Sequence, residues 1–424
     1  MKRSWFRLDN AALIFPAVLG RKWSNAFRLS ATLTEEIDRE TLTQAAEDLR
    51  THFPTFFVRL RTGFFWYYLE EIPSSGCVRP EYAYPLTYMS RRELRESCIR
   101  ILYFQNRVAV EFFHSVTDGT GGLRFLKNLV ARYLELKYGL SAESTDGLDD
   151  LRLPPEEREV CDCFPLHSAE YASSRRESDA YRMRGTAEKD GFRHLITGIL
   201  PAEVLLQKAH EYHTTVTAFL ASVLAESVYR MQNETLPEKH QRPVKITVPV
   251  NLRRLYGEKT LRNFVLTVNA GFDPRMGSYT LEEICAQISH QIAAEAVPQK
   301  MAGRIAANVK PQKNPVIRLM PLAVKNLVMR GVYADSGEKK GCMNLSNLGQ
   351  TEMPPVFAAY IRRLEFIIGV QRSYPNNCSV VSFGGKTYIN MIRSIRETEV
   401  ERLFFSRLVE LGIPVEIEEN ERER

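Results

Sequence analysis

Alternating apolar and polar positions predict strands along the whole chain, interleaved with segments of helical period. In the first half the predicted strands cover residues 27–33, 64–69, 101–104 and 108–113. In the second half they cover residues 194–200, 244–250, 343–348, 364–370, 379–383 and 387–392. The predicted helices cover residues 38–49, about 123–134, 202–231 with a break near Thr214-Thr215, and 397–411. This mixture predicts an α/β fold.

A chain of 424 residues is too long for one ordinary core, so we expect two domains of about 200 residues each. Residues 141–163 are rich in acidic side chains and contain a Pro-Pro pair, which is typical of a connecting segment rather than of core. We therefore predict an N-terminal half over residues 1–165, a connecting segment over 166–190 and a C-terminal half over 191–424. A charged tail follows the last predicted helix.

The composition is that of an ordinary globular protein, with 44% hydrophobic and 25% charged residues. The net charge of +6 suits an anionic cofactor or carrier, but we see none of the clustering that nucleic-acid binding requires. Seven cysteines without a C-x-x-C pair predict neither a disulfide framework nor a zinc site. Cys161-Asp162-Cys163 could bind a soft metal, although two surface or half-buried thiols explain it as well. A reducing cytoplasm fits best.

Two apolar stretches could be mistaken for membrane segments. Residues 11–18 follow Asp9 and Asn10 and lack a clear cleavage signal, which argues against a signal peptide. Residues 316–332 are interrupted by three basic side chains, whereas a membrane span needs about 20 mostly apolar residues. We expect an ordinary packed helix there, with an amphipathic helix lying on a partner or bilayer as the alternative.

The segment His114-Ser115-Val116-Thr117-Asp118-Gly119 carries the leading candidate for chemistry. His114 follows a predicted strand and precedes small residues that open a helix, so its ring would be held rigidly and remain accessible. Histidine is the side chain whose unperturbed pKa allows proton exchange near neutrality, which makes His114 a candidate general base. Taken alone, the pattern is explained equally well by a histidine in a turn and an aspartate that caps a helix.

Three further segments occur in a matching order: residues 247–253 (T-V-P-V-N-L-R), 262–264 (R-N-F) and 346–349 (S-N-L-G). Together with the H-x-x-x-D-G segment they resemble the motifs of the chloramphenicol-acetyltransferase-like superfamily. That superfamily includes alcohol acetyltransferases, plant BAHD acyltransferases, polyketide-associated acyltransferases and nonribosomal peptide condensation domains. The pattern is most similar to that of the alcohol acetyltransferases.

The resemblance implies two similar α+β two-layer sandwiches that form a pseudo-dimer with a tunnel between them. His114 would lie inside the tunnel and take a proton from a hydroxyl or amine, which then attacks a thioester carbonyl. The implied co-substrate is acyl-CoA, with no permanently bound cofactor and no metal, and the other partner is a small-molecule acceptor. An acyl carrier protein is the alternative source of the thioester.

The resemblance also implies roles for other residues. Asp118 would pair with Arg253 and hold the catalytic loop, and Gly119 would give the turn its backbone freedom. Ser346 and Asn347, on a strand near 343–349 that crosses between the halves, would donate hydrogen bonds to the oxyanion or merely satisfy backbone groups. Asn263 would hold the crossing loop or cap a turn.

Some features limit the resemblance. Phe113 occupies the position where condensation domains carry a second histidine, and the plant D-F-G-W-G motif is absent. A peptide-forming condensation domain is therefore less favoured. A protein that has lost activity and binds an acyl ligand or acts as a scaffold is the alternative from another functional class. We expect the aromatic run 64–68 to lie in the core. We expect His210 and His213 to lie on a solvated helix face.

Overall fold

The computed structural model describes residues 4–20, 23, 25–73, 76–141, 147–173, 177–337 and 339–420. The strands are β1 (Trp5–Arg7), β2 (Ala26–Leu33), β3 (Val58–Thr62), β4 (Tyr67–Glu71), β5 (Val78–Pro80), β6 (Ile99–Phe104), β7 (Arg107–Phe113), β8 (His194–Pro201), β9 (Val244–Asn251), β10 (Val265–Phe272), β11 (Met343–Gln350), β12 (Ile361–Ile368), β13 (Asn376–Phe383), β14 (Lys386–Arg393) and β15 (Glu416–Glu419). The α-helices are α1 (Ile14–Val18), α2 (Arg39–Asp48), α3 (Arg91–Leu94), α4 (Gly119–Tyr138), α5 (Glu157–Val160), α6 (Ala202–Glu211), α7 (Val216–Thr235), α8 (Leu252–Tyr256), α9 (Leu281–Glu295), α10 (Pro298–Lys313), α11 (Pro315–Leu319), α12 (Leu322–Val332), α13 (Pro355–Ala358) and α14 (Glu399–Glu410).

The N-terminal half is built on a five-stranded sheet in the order β12-β2-β7-β6-β5. Helix α4 packs on β2 and β7 and is itself covered by α2. Its inward side chains include Phe125 and Leu129, which are fully buried, as the helical period of the sequence predicts. A separate three-stranded sheet, β1-β4-β3, completes this half.

The strand that crosses between the halves differs from the expected one. β11 lies inside the C-terminal sheet, parallel to both β9 and β13, so the strand near 343–349 does not cross. Instead β12 leaves the C-terminal part of the chain and pairs antiparallel with β2. The physical reason is burial, because Leu364 and Phe366 of β12 belong to the N-terminal core. A single cut at residue 191 therefore does not separate the two sheets.

The C-terminal half contains a seven-stranded sheet in the order β10-β9-β11-β13-β14-β8-β15. Helices α7 and α9 pack together and cover β9 and β10. The predicted break in the first long helix is confirmed: α6 ends at Glu211, and the Thr215 hydroxyl caps α7 by accepting from the Ala218 N–H at 3.2 Å. The charged tail contains a strand that was not predicted, since β15 pairs with β8 at the sheet edge.

The aromatic run 64–68 is only partly in the core. β4 begins at Tyr67, and the three preceding aromatics lie in the connection between β3 and β4. Phe64 is 72% exposed and Trp66 54% exposed, so the core prediction is wrong for them, although it holds for Tyr67. Within the described ranges, no helix is long and apolar enough to cross a bilayer.

Candidate active site

His114 lies directly after β7 and is fixed by backbone and ring contacts. Its N–H donates to the Asn25 carbonyl at 2.8 Å. Its ring stacks on Phe15 of α1, with ring centres 4.5 Å apart, and meets the edge of Phe27 at 5.2 Å. The side chain remains half-buried rather than closed off. The imidazole is therefore held in one orientation between aromatic walls.

Asn263, from the C-terminal half, determines which imidazole nitrogen carries the proton. Its Nδ2 faces two acceptors, Asp9 Oδ2 at 3.0 Å and the His114 carbonyl at 2.9 Å, so the amide has one consistent orientation. Its Oδ1 then lies 3.0 Å from His114 Nδ1 and must accept from it. This assignment leaves His114 Nε2 unprotonated, with its lone pair available.

Asp9 completes the chain of three side chains and was missed as a site residue by sequence reasoning. It is fully buried, and Asp9 Oδ1 accepts from the Ala12 N–H at 2.8 Å. Burial raises the pKa of Asp9, while Arg262, whose Nε lies 3.7 Å from Asp9 Oδ2, opposes that rise. Asp9 and Asn263 are 254 residues apart, and no local spacing in the sequence signals their contact.

The surroundings favour the neutral form of His114. Burial is the largest cause and lowers its pKa below the ordinary value of about 6.5, because the imidazolium is desolvated. The charges of Asp118 and Asp9 and the hydrogen bond to Asn263 oppose this effect without reversing it. The ring is therefore uncharged at neutral pH, which is the form that can accept a proton.

Asp118 is fully engaged in holding the loop. Its Oδ1 caps α4 by accepting from the N–H groups of Thr120 and Gly121 at 3.1 and 3.2 Å. Its Oδ2 accepts from the Phe264 N–H at 2.9 Å and from Arg253 Nη1 at 2.8 Å. The ion pair that the resemblance implies is thus present and buried, and it joins the two halves beside His114.

Arg253 is tied to the C-terminal half by further contacts. Its Nε donates to the Thr260 carbonyl at 2.6 Å, and its Nη2 donates to the Arg262 carbonyl. The fork of guanidinium donors therefore holds the segment that carries Asn263.

Space requires a glycine at position 121, and it is tight at position 119. Gly119 does not have a left-handed φ, so the expected backbone freedom is not the reason for a glycine there. A Cβ on Gly119 would lie 3.0 Å from Leu348 Cδ2. A Cβ on Gly121 would lie 2.2 Å from Thr117 Oγ1 and 2.4 Å from the Leu261 carbonyl oxygen. The first turn of α4 is thus pressed against the C-terminal half.

The two candidates for oxyanion binding point in opposite directions. Asn347 Nδ2 donates to Thr217 of α7 at 3.0 Å and its Oδ1 accepts from the Gly349 N–H at 2.8 Å, so its amide faces the C-terminal core. Side chains alternate along a strand, which places Ser346 on the opposite face of β11 from Asn347. The register of β11 shifts between Asn347 and Gln350, where Leu348 approaches Gly119. The amide of Asn347 is thus already engaged within the C-terminal half, whereas Ser346 lies on the other face of the strand.

Within the described ranges, a group of three side chains close enough to ligate one metal ion occurs at one place, where His52, Asp149 and Glu159 come together. His52 Nε2 lies 3.5 Å from Asp149 and 3.7 Å from Glu159. The Arg124 guanidinium contacts both carboxylates and supplies positive charge there. Glu159 of the acidic segment 141–163 is therefore buried in an ion cluster, although the composition of the segment predicts a connection rather than core.

The Cys161–Cys163 pair has its sulfur atoms 3.0 Å apart. Cys163 is fully buried, which corrects the expectation of two surface or half-buried thiols, while Cys161 is half-buried. Burial raises the pKa of the Cys163 thiol, so it remains protonated and is a poor metal ligand.

Among known proteins, similarity to this chain is found at the level of the fold. No family model matches this chain. A search of curated proteins gives no match either.

Solved structures match over nearly the whole chain. TRI101 of F. sporotrichioides, complexed with coenzyme A and T-2, is 11% identical over 94% of this chain and 97% of that one, with a TM-score of 0.64. Polyketide synthase associated protein 5 from Mycobacterium tuberculosis is 14% identical over 95% and 96%, with a TM-score of 0.59. Wax ester synthase/diacylglycerol acyltransferase from Marinobacter aquaeolei VT8 is 13% identical over 96% and 100%, with a TM-score of 0.53.

These likenesses confirm the predicted α/β fold of two domains. The chain has the fold of TRI101, of TRI3 trichothecene 15-O-acetyltransferase and of the condensation domain from Monacolin K polyketide synthase, which is the fold that the motifs of the chain indicate. Identities this low establish fold and leave activity to be argued from the site.

Proposed function

We propose that this protein is an acyltransferase that moves an acyl group from acyl-CoA to an alcohol or amine, with His114 as the general base. The observation that carries the proposal is the hydrogen-bond chain from Asp9 through Asn263 to His114 Nδ1. That chain presents Nε2 as a proton acceptor on a ring that burial keeps neutral. A base of this kind contributes about 10²–10⁴ in rate.

The proposed reaction needs no covalent acyl-enzyme. His114 Nε2 takes the proton from the acceptor's hydroxyl or amine as the oxygen or nitrogen attacks the thioester carbonyl. When the tetrahedral intermediate collapses, the C–S bond breaks and the leaving thiolate takes the proton from the imidazolium. The imidazole returns to its neutral form, and Ser346 is the candidate on β11 to stabilise the oxyanion. Asp118 and Arg253 position the loop and exchange no proton.

Acyl-CoA is proposed as donor because a structural neighbour binds coenzyme A in this fold. The fold is equally that of condensation domains, so a carrier-bound thioester is the alternative donor. Phe113 argues against a condensation domain, since it is fully buried among core side chains and offers no second base. A reducing cytoplasm is the proposed location, with which the seven free cysteines are consistent.

The test is thioester consumption with a panel of acyl-CoA donors and alcohol or amine acceptors, comparing wild type with His114→Ala. We expect the variant to lose about 10²–10⁴ in kcat/KM. His290→Ala is the matched control, because His290 is exposed on α9, and it should retain full activity. Equal turnover by wild type and His114→Ala would exclude the proposed role.

Two other outcomes separate the alternatives. Turnover of an acyl carrier protein thioester, without turnover of any acyl-CoA, would identify the donor as carrier-bound. Binding of acyl-CoA without consumption of either thioester would identify a binding or scaffold protein.

A further inference from the structure

An exposed apolar surface covers one side of the molecule next to the N-terminal sheets. It is formed by helices α11 and α12 and by the β3–β4 connection, whose Phe64 carbonyl accepts from the Leu322 N–H at 2.9 Å. We call this surface the apolar face, and its large exposed side chains are Phe64, Trp66, Val316, Leu319, Val324, Leu327 and Val328. Contiguous apolar groups of this kind on a protein surface mark interaction sites.

Helix α12 has the reverse of the usual amphipathic arrangement. Val324, Leu327 and Val328 share one side at helical spacing, and all three are exposed, Leu327 at 71%. Asn326, by contrast, turns inward and donates to the Tyr67 hydroxyl at 2.9 Å. The expectation of an ordinary packed helix over residues 316–332 is therefore wrong. The helix is held by Leu322, which belongs to the N-terminal core, and by polar contacts such as that of Asn326, and it leaves these three apolar side chains uncovered.

The same part of the chain concentrates positive charge. Residues 296–334 contain seven basic and no acidic residues, whereas the whole chain has a net charge of only +6. The remaining residues thus sum to −1, and the absence of basic clustering expected from composition is wrong for this segment. Lys313, Arg318 and Arg330 are exposed and make no ion pair with any residue that the structure describes.

From this combination we propose that the apolar face docks on the surface of an anionic phospholipid bilayer. Helices that lie in a membrane interface bury an apolar side flanked by Lys and Arg, and aromatic side chains such as Trp66 favour that depth. Each basic residue near an anionic surface adds to the attraction. A second copy of the chain is the weaker occupant, because it would bring two segments of charge +7 together.

The apolar face is connected to the candidate active site through one short helix. α12 packs on α1, and Arg330 Nε donates to the Ala17 carbonyl of α1 at 2.6 Å. Phe15 of the same helix stacks on His114. If the proposed function holds, docking brings a membrane-dissolved acceptor or acyl chain to the side of the molecule nearest the base. The docking itself does not depend on that function.

The experiment is sedimentation with vesicles of phosphatidylcholine alone and of phosphatidylcholine mixed with phosphatidylglycerol. We expect wild type to bind the mixed vesicles, to bind more weakly as salt is added, and not to bind phosphatidylcholine alone. Leu327→Glu/Val328→Glu should weaken binding by about tenfold or more, because two buried apolar contacts are lost. Lys313→Ala/Arg318→Ala should weaken it by about fivefold per charge.

The controls keep this result separate from folding and from catalysis. Leu206→Glu places the same charge on an exposed leucine of α6 in the C-terminal half and should bind as wild type does. His114→Ala should also bind as wild type, so a failed catalytic proposal leaves the docking result intact. Thermal unfolding of each variant verifies that it is folded.

Three outcomes would overturn docking on an anionic bilayer. The first is no wild-type binding to the mixed vesicles, or equal binding to both kinds. The second is undiminished binding by Leu327→Glu/Val328→Glu. The third is a wild-type dimer that this double variant converts to monomer without any vesicle binding, which would assign the face to a second copy of the chain.

Discussion

At the scale of single residues, one side chain orients the His114 ring and a different one carries the negative charge behind it. Asn263 is neutral, so it fixes the tautomer of His114 and stabilises the imidazolium less than an adjacent carboxylate would. The negative charge of Asp9 is kept one side chain further away, behind the Asn263 amide. The histidine is thus oriented as a base while its pKa stays low.

The pH dependence of activity follows from that low pKa. Burial disfavours the charged imidazole, so the active neutral form persists below the ordinary pKa and is lost only as pH falls through the lowered value. We expect the acid limb of the pH profile of kcat/KM to have its midpoint below about pH 6.5.

Burial also raises the pKa of Asp162 to about 6, so Asp162→Asn is the control. The acid limb should be unchanged in that variant. A midpoint above 6.5 in both proteins would contradict the assignment.

Asp118 should matter for stability through its ion pair more than through its cap. In Asp118→Asn the amide would direct a donor at Arg253 Nη1 or at the Phe264 N–H, which leaves a buried charge unpaired. We expect the free energy of unfolding to fall by about 3–5 kcal/mol in urea titrations.

Asp38→Asn is the matched control, because Asp38 caps α2 at an exposed site without an arginine partner. Asparagine caps as well as aspartate, so stability there should hardly change. Equal losses in the two variants would contradict this account.

At the scale of elements, α4 meets the C-terminal half with almost no free space. The Thr117 hydroxyl donates to the Leu261 carbonyl at 2.6 Å, and Gly121 lies against the same carbonyl. The start of one helix therefore defines how closely the two halves approach at His114.

Gly121→Ala should force these elements apart. The added methyl would overlap the Leu261 backbone, which cannot move as a side chain can, and we expect a loss of about 1–3 kcal/mol of stability together with reduced kcat. Gly331→Ala is the control, because nothing lies within 4 Å of that position in α12. Alanine favours a helix over glycine, so this variant should be as stable as wild type or slightly more stable. Urea titration and steady-state kinetics measure both effects, and equal behaviour of the two variants would contradict the close contact.

The local pattern of apolar and polar positions predicted strands and helices well where burial of one side gives that pattern a regular period. β2, β7, β9, β13 and β14 begin and end within three residues of their predicted limits, and the break near Thr214-Thr215 was predicted from the sequence. Prediction from the local pattern failed where contacts with distant segments of the chain determine the structure. β15 is a strand because β8 offers it an edge, and Phe64 and Trp66 are exposed although their composition is that of core. The motifs indicated His114, Asp118, Arg253 and Asn263, but Asp9 reaches the site only through the tertiary fold.

At the scale of the whole molecule, the two halves share a sheet as well as an interface. β12 pairs with β2 from Ile361 opposite Leu33 to Ile368 opposite Phe27. β2 is nearly continuous in buried residues, so removing β12 would expose an unpaired strand edge together with apolar side chains of the N-terminal core.

Separately expressed halves should therefore behave unequally. We expect residues 1–190 alone to aggregate, because β2 becomes an open edge strand, and size-exclusion chromatography measures this. Co-expression with residues 191–424 should recover a soluble complex by restoring β12. A monodisperse, monomeric 1–190 fragment would show that β12 is dispensable for the N-terminal sheet.

The pairing of β12 with β2 also sets an order of events during synthesis. Ile361 follows its partner Leu33 by 328 residues in the chain. The sheet lacks only β12 once β7 ends at Phe113, and β12 ends 255 residues later at Ile368, so at translation rates of about 5–20 residues per second the sheet waits roughly 13–51 s for its last strand. Throughout that interval the nascent chain carries an unpaired strand edge, so its folding yield depends on what shields that edge while the ribosome completes the C-terminal half.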